Sequence, residues 1–272
     1  MDRYAVVGNP VAHSKSPQIH EAFARATGEA LTYERLLAPL GGLAQAVSSF
    51  AEAGGRGLNV TVPFKLDALA IAAHASDRAQ AAGACNTLAR QGSQWYADNT
   101  DGAGIVHDLT VNHAVTLADA DVLVLGAGGA ARGIVIPLFA QRPRSVVISN
   151  RTPAKAHALA ERFGSRGPLS AVAPEALAGR RFDVVINATS AGLHADSGWV
   201  WPDGIFAAGA FAYDMIYGDA PTAFLRWAGA QGVEHSADGL GMLIEQAAES
   251  FMLWRGVRPP TAGVFELLRP QR

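Results

Sequence analysis

The chain has 272 residues, 49% of them hydrophobic, and its 22 basic and 24 acidic side chains give a formal net charge of −2. This length exceeds what one core of ordinary size needs, so two domains are expected. The balanced charge gives no electrostatic footprint for nucleic acid or an anionic membrane and favours a small-molecule ligand. Neither nucleic acid nor a membrane is an expected partner.

Cysteine content and the N-terminus bear on the compartment. The one cysteine, Cys85, can form neither an intramolecular disulfide nor a thiolate metal cluster, which favours a reducing compartment and predicts no metal site. The first residues lack the basic start and long apolar run of a signal peptide. The most apolar stretch, 122–140, is interrupted by glycines and Arg132, so it predicts strand, turn and helix instead of a membrane span. We expect a cytoplasmic protein.

Short apolar runs rich in β-branched residues alternate with alanine-rich stretches, which predicts an α/β fold with largely parallel sheets. The predicted strands are 4–7, 58–62, 122–125, 146–149, 184–186 and 211–213, and the predicted helices include 67–82, 153–162 and 240–254. The last helix carries an apolar stripe that needs a surface to cover. We expect it to return to the N-terminal domain, which then comprises 1–101 plus 239–272, around a second domain of 102–238.

The first predicted strand leads into a polar loop that precedes a helix. Two hydroxyls two residues apart in this loop, those of Ser14 and Ser16, are suited to hold a carboxylate. The alternative is that Ser16 simply caps the helix, with Pro17 in the first helical position. The residues alone leave both interpretations open.

The second predicted strand leads through Thr61 and Pro63 into a helix whose first turn contains Lys65. A positive charge is unfavourable at a helix N-terminus because of the helix dipole, so this position suits a lysine that exchanges protons. The alternative is a solvated surface lysine, which is the more frequent environment for any lysine considered alone.

A glycine turn follows the strand 122–125 and reads Gly126-Ala127-Gly128-Gly129-Ala130-Ala131. Gly126 permits the turn, Gly128 lets the backbone approach a pyrophosphate, and the free amides of the next helix face that anion. Glycines also serve ordinary strand-to-helix turns, so the pattern alone is weak evidence for a dinucleotide.

The strand 146–149 ends in Asn150-Arg151-Thr152, with Lys155 one helical turn further on. An NAD enzyme usually carries an acidic residue here for the ribose 2′-hydroxyl, whereas a guanidinium can stack on adenine and bind a 2′-phosphate. NADP is therefore the predicted cofactor. A plain helix start, with Thr152 as N-cap and Pro153 in the first position, accounts for the flanking residues but not for Arg151.

Several motifs in a fixed order resemble the shikimate dehydrogenase family, and together they cover essentially the whole chain. They are Gly8-Asn9-Pro10 with His13 to Pro17, Asn59 to Lys65, Gly83 to Leu88, Asn99 to Gly102, Asn187 to Gly192, Asp214 to Tyr217, and Asp238 to Leu243 with Gln246. The resemblance implies an α/β substrate domain with a mostly parallel sheet and a Rossmann-type doubly wound NADP domain. It further implies NADPH-dependent, reversible reduction of 3-dehydroshikimate to shikimate on the chorismate route to aromatic amino acids, by a homodimer or a monomer.

The resemblance also implies residue roles. Lys65 and Asp101 would be the catalytic pair, with the Lys65 ammonium protonating the alkoxide that develops at the substrate carbonyl. The implied substrate-binding residues are Ser14, Ser16, Thr61, Lys65, Asn86, Asp101, Tyr217 and Gln246. The implied cofactor-binding residues are Asp77, Gly126, Ala127, Gly128, Gly129, Ala130, Asn150, Arg151, Thr152, Lys155, Thr189, Met215 and Gly239.

Two alternatives stay open beside this interpretation. A relative of dual specificity oxidises quinate as well as shikimate, and a non-catalytic NADP-sensing relative keeps the fold without the reaction. Ser14 and Ser16 together with Arg151 favour the biosynthetic enzyme, and the Lys65 and Asp101 pair argues against the sensor. Cys85 departs from the apolar residue expected beside Asn86, and we interpret it as a small buried hydrophobe.

Overall fold

The computed structural model describes residues 1–189 and 201–269. The chain divides into two compact units, Met1–Gly104 with Leu243–Arg272, and Ile105–Met242. The two-domain α/β prediction is thus confirmed, as is the return of the C-terminal helix to the first unit. The boundaries predicted from the sequence, after 101 and 238, lie before those of the compact units. The assignment of substrate binding to the first domain and NADP binding to the second stays a prediction.

The first unit is built on a six-stranded mixed sheet with the strand order β2-β1-β3-β5-β6-β4. Strand β1 is parallel to β2 and β3, β4 is parallel to β6, and β5 is antiparallel to both of its neighbours. The elements are β1 (Asp2–Gly8), α1 (Ser16–Thr27), β2 (Leu31–Leu37), α2 (Leu43–Glu52), β3 (Gly55–Val60), α3 (Lys65–Ile71), β4 (His74–Ala75), α4 (Asp77–Ala82), β5 (Thr87–Gln91), β6 (Gln94–Asp98) and α5 (Asp101–His107).

The predicted helix 67–82 is wrong, because the chain breaks it into α3, β4 and α4. Ala72 adopts an extended conformation, and the amides of Ala73 and Ser76 then bond to carbonyls of β6. Ser76 restarts a helix as the N-cap of α4, where its hydroxyl accepts from the Ala79 amide. Pairing at the sheet edge therefore outweighs the helix propensity of the alanines.

The second unit is a six-stranded sheet in which every described pairing is parallel, in the order β12-β11-β10-β7-β8-β9. The strand order reverses at β7 and β10, as in the Rossmann-type doubly wound fold, where ligands bind beyond the carboxyl ends of the strands. Its elements are β7 (Asp121–Leu125), α6 (Gly129–Ala140), β8 (Ser145–Ser149), α7 (Pro153–Phe163), β9 (Leu169–Val172), β10 (Phe182–Asn187), β11 (Phe206–Asp214), α8 (Ala223–Ala230) and β12 (His235–Ala237), with a π-helical turn at Asp108–Asn112 and 3-10 turns at Gly164–Arg166 and Pro174–Leu177.

Two further helices, α9 (Leu240–Arg255) and α10 (Ala262–Leu268), end the described chain. The apolar stripe predicted on α9 is buried: Ile244, Ala247 and Phe251 have no exposed surface. In the first unit, Trp254 packs so closely on β3 that a Cβ added to Gly57 would lie 2.5 Å from the indole nitrogen. The helix thereby completes the core of the first unit.

Candidate functional site

A lysine and a carboxylate form an ion pair in the first unit. Lys65 is the first residue of α3 and Asp101 the first residue of α5, and Lys65 Nζ lies 2.6 Å from Asp101 Oδ2. The lysine side chain is 34% exposed and the aspartate 13%. Lys65 is therefore not a solvated surface lysine; it is a partly open cation whose position is fixed by a nearly buried anion.

Asn86 holds the other oxygen of the same carboxylate. Its Nδ2 donates to Asp101 Oδ1 at 2.8 Å, while its Oδ1 accepts from the Thr100 backbone amide at 2.8 Å. Because an amide N–H can only donate, this bond fixes which end of the Asn86 side chain faces Asp101. Both carboxylate oxygens are thus engaged, one by Lys65 and one by Asn86.

Gln246 reaches this cluster from α9. Its Oε1 accepts from Asn86 Nδ2 at 3.1 Å, and its Nε2 donates to the Leu243 carbonyl at 2.9 Å, which leaves one Nε2 hydrogen for another acceptor.

Ser250 lies one turn after Gln246 on α9 and is fully buried, and no sequence motif assigned a role to it. Its hydroxyl lies 2.8 Å from Thr87 Oγ1 and accepts from Asn59 Nδ2 at 3.0 Å. Its position on the apolar stripe of α9 could have identified Ser250 from the sequence, because a buried hydroxyl needs hydrogen-bond partners.

Ser14 and Ser16 also come together. Ser14 Oγ donates to Ser16 Oγ at 3.1 Å, and the Ser16 amide donates back to Ser14 Oγ at 3.3 Å. Helix α1 begins at Ser16 with Lys15 as its N-cap residue, so the alternative that Ser16 caps the helix is wrong.

Thr61 follows β3, and its backbone amide donates to the Val7 carbonyl. Its side chain packs closely against Gly8, because a Cβ added to Gly8 would lie 2.4 Å from the methyl carbon of Thr61.

Cys85 lies beside Asn86 and is fully buried. Its Sγ donates to the Thr87 carbonyl at 3.2 Å, and burial raises the pKa of the thiol to about 12. The thiol stays protonated at neutral pH, so it is no nucleophile and serves as a small core residue.

In the second unit, the glycine turn lies between β7 and α6, with Ala127 inside it and Ala130 in the first helical turn. Gly126 has a φ of +112°, and a Cβ there would lie 2.9 Å from the Ala188 carbonyl oxygen. A Cβ at Gly128 or Gly129 would meet no heavy atom within 4 Å. Gly126 is therefore required by the turn, whereas the space over the other two glycines is open to a ligand.

The residues predicted to select NADP follow β8. Thr152 is the N-cap residue of α7 but makes no side-chain cap bond, and Pro153 is the first helical residue. Asn150 Nδ2 donates to the Thr152 carbonyl at 3.0 Å, which shapes the turn. Arg151 and Lys155 both have exposed side chains on this turn and the first turn of α7. Two cations therefore flank a helix start, where the helix dipole favours an anion.

Thr189 and Met215 are placed by one buried pair of side chains, Asn187 and Asp214. Asn187 Oδ1 accepts from the Thr189 hydroxyl at 2.7 Å, its backbone carbonyl accepts from the Met215 amide, and its Nδ2 donates to Asp214 Oδ1 at 2.9 Å. Burial raises the pKa of Asp214 against the opposing hydrogen bonds from Thr222, Ile216 and Asn187. The quoted motifs contained both residues, but no local pattern assigned a role to either.

Gly239 also lies next to Met215: a Cβ there would lie 2.2 Å from the Met215 carbonyl oxygen, so no other residue fits. Burial raises the pKa of Tyr217, a residue that is 36% exposed. Tyr217 belongs to the second unit, unlike the other predicted substrate residues, and Asp77, at the first position of α4, belongs to the first unit, unlike the other predicted cofactor residues. Ser190 and Gly192 lie outside the described residues.

Membrane-spanning helices and metal clusters are both absent from the described residues. No helix in 1–189 or 201–269 is long and apolar enough to cross a bilayer. Within the same ranges, no three histidine, cysteine or acidic side chains are grouped so that they could hold a metal ion.

Comparison with known proteins gives three consecutive family matches. Residues 6–88 match the shikimate dehydrogenase substrate binding domain, 108–195 the shikimate / quinate 5-dehydrogenase family, and 239–269 the shikimate 5′-dehydrogenase C-terminal domain. A protein of Alkalilimnicola ehrlichii named shikimate dehydrogenase (NADP(+)) is 54% identical over 99% of both chains.

Solved structures agree with these matches. The Ael1 enzyme of Pseudomonas putida superposes with a TM-score of 0.94 at 44% identity, covering 100% of this chain and 99% of the other. Shikimate 5-dehydrogenase of Thermus thermophilus, solved in complex with NADP(H) and shikimate, superposes with a TM-score of 0.87 at 37% identity over 98% of both chains. The chain belongs to the shikimate dehydrogenase family.

Proposed function

We propose that this protein is an NADP-dependent shikimate dehydrogenase, which reversibly reduces 3-dehydroshikimate to shikimate in the chorismate pathway of aromatic amino-acid biosynthesis. The observation that carries the proposal is the pair of Lys65 and Asp101 at 2.6 Å, which supplies a proton donor held in place by a carboxylate. Family membership supports the substrate and the cofactor, since the Alkalilimnicola relative is named for both.

Lys65 and Asp101 form the catalytic pair in this proposal. Only one of the three ammonium hydrogens of Lys65 is used by Asp101, so the other two are available to a substrate oxygen. In the reductive direction Lys65 Nζ donates a proton to the oxygen that becomes the alcohol, and in the oxidative direction it takes that proton back. Asp101 keeps Nζ in position and balances its charge.

The remaining contacts would hold the substrate ring. Asn86 and Gln246 share the amide face beside Asp101, where a ring hydroxyl can replace the 3.1 Å bond that joins them. Ser14 and Ser16 offer two hydroxyls to the carboxylate, while Thr61 and Tyr217 would contact other hydroxyl groups. Each of these groups is neutral, so they fix the orientation of the substrate and leave proton transfer to Lys65.

The second unit is proposed to bind NADP, which supplies the hydride when bound. The open space over Gly128 and Gly129 fits a pyrophosphate, since a side chain there would occupy it. Arg151, Thr152 and Lys155 provide donors and positive charge for the 2′-phosphate, and residues 150–155, directly after β8, include no acidic residue. Ala127, Ala130 and Asn150 complete this turn, and Thr189, Met215 and Gly239 are proposed to lie along the nicotinamide half. Asp77 remains a proposed cofactor-proximal residue.

The two rival functions are less well supported. Dual use of quinate and a loss of catalysis both fit the fold, but the Alkalilimnicola relative is named shikimate dehydrogenase (NADP(+)) and the Lys65 and Asp101 pair is intact. Steady-state rates with shikimate and quinate, each with NADP+ and NAD+, test all three. We expect the highest kcat/KM with shikimate and NADP+. Equal rates with quinate would support the dual-specific enzyme, and no turnover would support the sensor.

A cytoplasmic homodimer is the proposed form of the protein. The free, buried thiol of Cys85 fits a reducing compartment, and two-fold dimers are the commonest soluble homo-oligomers. Sedimentation equilibrium of the purified protein tests the assembly, and a mass equal to one 28.4 kDa chain at all concentrations would contradict it.

A further inference from the structure

The first unit contains a network of charged side chains centred on Arg78. This arginine, on α4, donates from Nε and Nη2 to the two oxygens of Asp98, at 2.6 Å each. Its third nitrogen, Nη1, donates to Glu249 Oε1 on α9 at 2.9 Å. The Asp98 side chain is 5% exposed and that of Arg78 29%. One guanidinium thus joins α4 to the end of β6 and to α9.

The shape of the guanidinium accounts for this arrangement. Two parallel N–H bonds to one carboxylate match its planar fork, and Nη1 remains for a second carboxylate. A lysine carries its three donors on a single atom, so it can supply the charge but not this pair of parallel bonds. Asp98 is nearly buried, and a buried carboxylate without a cation beside it is unfavourable, so its position depends on Arg78.

Asp98 holds the backbone that leads to Asp101. Its Oδ1 also accepts from the Asn99 amide at 2.7 Å. The buried Asn99 side chain accepts from the Asp101 amide at 3.2 Å through Oδ1 and donates to the Ala84 carbonyl at 3.0 Å through Nδ2. The carboxylate that Arg78 binds is therefore two side chain-to-backbone hydrogen bonds away from Asp101.

We infer that Arg78 is a positioning residue for Asp101; this rests on the proposed function. Arg78 fixes the Asp98 carboxylate, and this carboxylate together with Asn99 fixes the turn at which α5 begins. Because Asp101 is the first residue of α5 and holds Lys65 Nζ at 2.6 Å, a shift of this turn displaces the proton donor. Small displacements of reacting groups lower a catalysed rate strongly, since few geometries are productive.

Arg78→Lys tests the inference with the positive charge retained. Asp98 keeps a cation beside it, so the variant should fold, but the two parallel bonds are lost. We expect kcat to fall about tenfold while the KM for shikimate stays within about twofold of wild type, because the Lys65 ammonium acts on the transition state. Steady-state kinetics measure both values, and thermal melting checks that the variant is folded.

Arg258→Lys is the matched control. Arg258 belongs to the same network and also joins two carboxylates, because it donates from Nη1 to Glu249 at 3.0 Å and from Nη2 to Glu245 at 2.8 Å. Its substitution weakens the contacts of α9 and leaves Arg78 bound to Asp98. This variant should keep the wild-type kcat and KM.

A double substitution tests the route to Asp101. Asn99→Ala removes the side-chain oxygen that accepts from the Asp101 amide, so it should lower kcat by itself. In the Asn99→Ala background, Arg78→Lys should lower kcat no further, since the residue through which it acts is gone.

Four outcomes overturn the inference. A folded Arg78→Lys protein with the wild-type kcat, whatever its KM, would show that the paired bonds to Asp98 are not needed. Loss of folding in Arg78→Lys, or equal losses of kcat after Arg78→Lys and Arg258→Lys, would indicate a merely structural role. Losses that multiply in the Arg78→Lys, Asn99→Ala protein would show that Arg78 does not act through Asn99. In each case wild-type turnover of shikimate still supports the proposed function, whereas a wild-type protein that does not turn over shikimate refutes both.

Discussion

At the scale of single residues, Asp101 is the centre of the candidate active site. Its two oxygens accept hydrogen bonds from Lys65 and Asn86, so a substitution of any of these three residues alters the hydrogen bonding of the other two. The Lys65 side chain is 34% exposed and that of Asp101 13%, so a substrate oxygen can reach the lysine more easily than the aspartate. Removing the cation should accordingly affect chemistry more than affinity.

Lys65→Ala should lower kcat by several orders of magnitude with a much smaller change in the KM for shikimate. The reason is that the ammonium acts on charge that develops in the transition state. Steady-state kinetics in both directions measure this, with thermal melting to confirm that the variant folds. A Lys65→Ala protein with near-wild-type turnover would refute the mechanism.

Arg151→Ala should raise the KM for NADP+ about tenfold or more and leave the KM for NAD+ nearly unchanged. Charge-assisted hydrogen bonds to a phosphate contribute roughly 1.5–3 kcal/mol, and about 1.4 kcal/mol corresponds to a factor of ten. The exposed Arg166, at the end of a 3-10 turn in the same unit, is the control, and Arg166→Ala should change neither value. Equal losses with both cofactors would mean that Arg151 does not contact the 2′-phosphate.

The candidate residues that the sequence could predict are those whose chemistry is visible in isolation, such as Lys65 at a helix start or Arg151 in place of an acid. Asn187, Asp214 and Ser250 could not be found in this way. They act by holding other residues, through bonds that join positions as far apart as Asn59 and Ser250. Such partnerships depend on the tertiary fold, which no local pattern of residues encodes.

At the scale of elements, the glycines of the turn between β7 and α6 meet two different requirements, the backbone conformation of the turn and space for a ligand, although they belong to one sequence motif. Gly126 has a positive φ and a carbonyl oxygen 2.9 Å from where a Cβ would lie, whereas Gly128 has a φ of −85° that any residue can adopt. One glycine is thus needed for folding, and the other is free to serve a ligand.

Paired substitutions test this distinction. Gly126→Ala should lower the free energy of unfolding by about 1–3 kcal/mol, because of backbone strain and the contact with Ala188. Gly128→Ala should leave stability close to wild type and weaken NADPH binding, since the methyl group fills the space proposed for the pyrophosphate. Urea denaturation and fluorescence titration with NADPH measure the two effects. A stable Gly126→Ala protein, or a Gly128→Ala protein with normal affinity, would contradict the assignment.

Elements with a clear period were predicted, and those made by pairing were not. Helices α7 and α9 and the six predicted strands are present. The hairpin of β5 and β6 was missed, although Gly92, with a φ of +62°, and Ser93 form the two-residue turn that such hairpins use. Strand β2 was missed because much of its length is exposed, which removes the apolar signal of a buried parallel strand.

At the scale of the whole molecule, the buried His20 links stability to pH. Burial lowers the pKa of His20 to about 3, against an ordinary value near 6.5. Between these values the unfolded chain binds a proton that the native chain does not, so stability falls as pH falls. The contribution is complete above about pH 6.5 and is lost progressively down to about pH 3.

His20→Gln should therefore flatten the pH dependence of stability. Glutamine can donate to Asn59 Oδ1 but cannot take up a proton, so the variant lacks a slope of up to about 1.4 kcal/mol per pH unit below about pH 6.5. Urea denaturation from about pH 5 to about pH 7 measures the slope, since the ordinary pKa lies in that interval. The exposed His157 on α7 is the control, and His157→Gln should keep the wild-type slope. A His20→Gln slope equal to that of wild type would contradict the burial argument.

The composition of the first unit, which draws on both ends of the chain, has a consequence for biosynthesis. Gln246, Ser250 and Trp254 belong to α9, and their partners Asn86, Asn59 and Leu88 emerge from the ribosome more than a hundred and fifty residues earlier. Until α9 is synthesised, the nascent N-terminal sheet therefore has an uncovered apolar face. The dinucleotide-type unit is synthesised, and is able to fold, during this interval. Chaperone dependence during translation should accordingly concentrate on the segment that is made first.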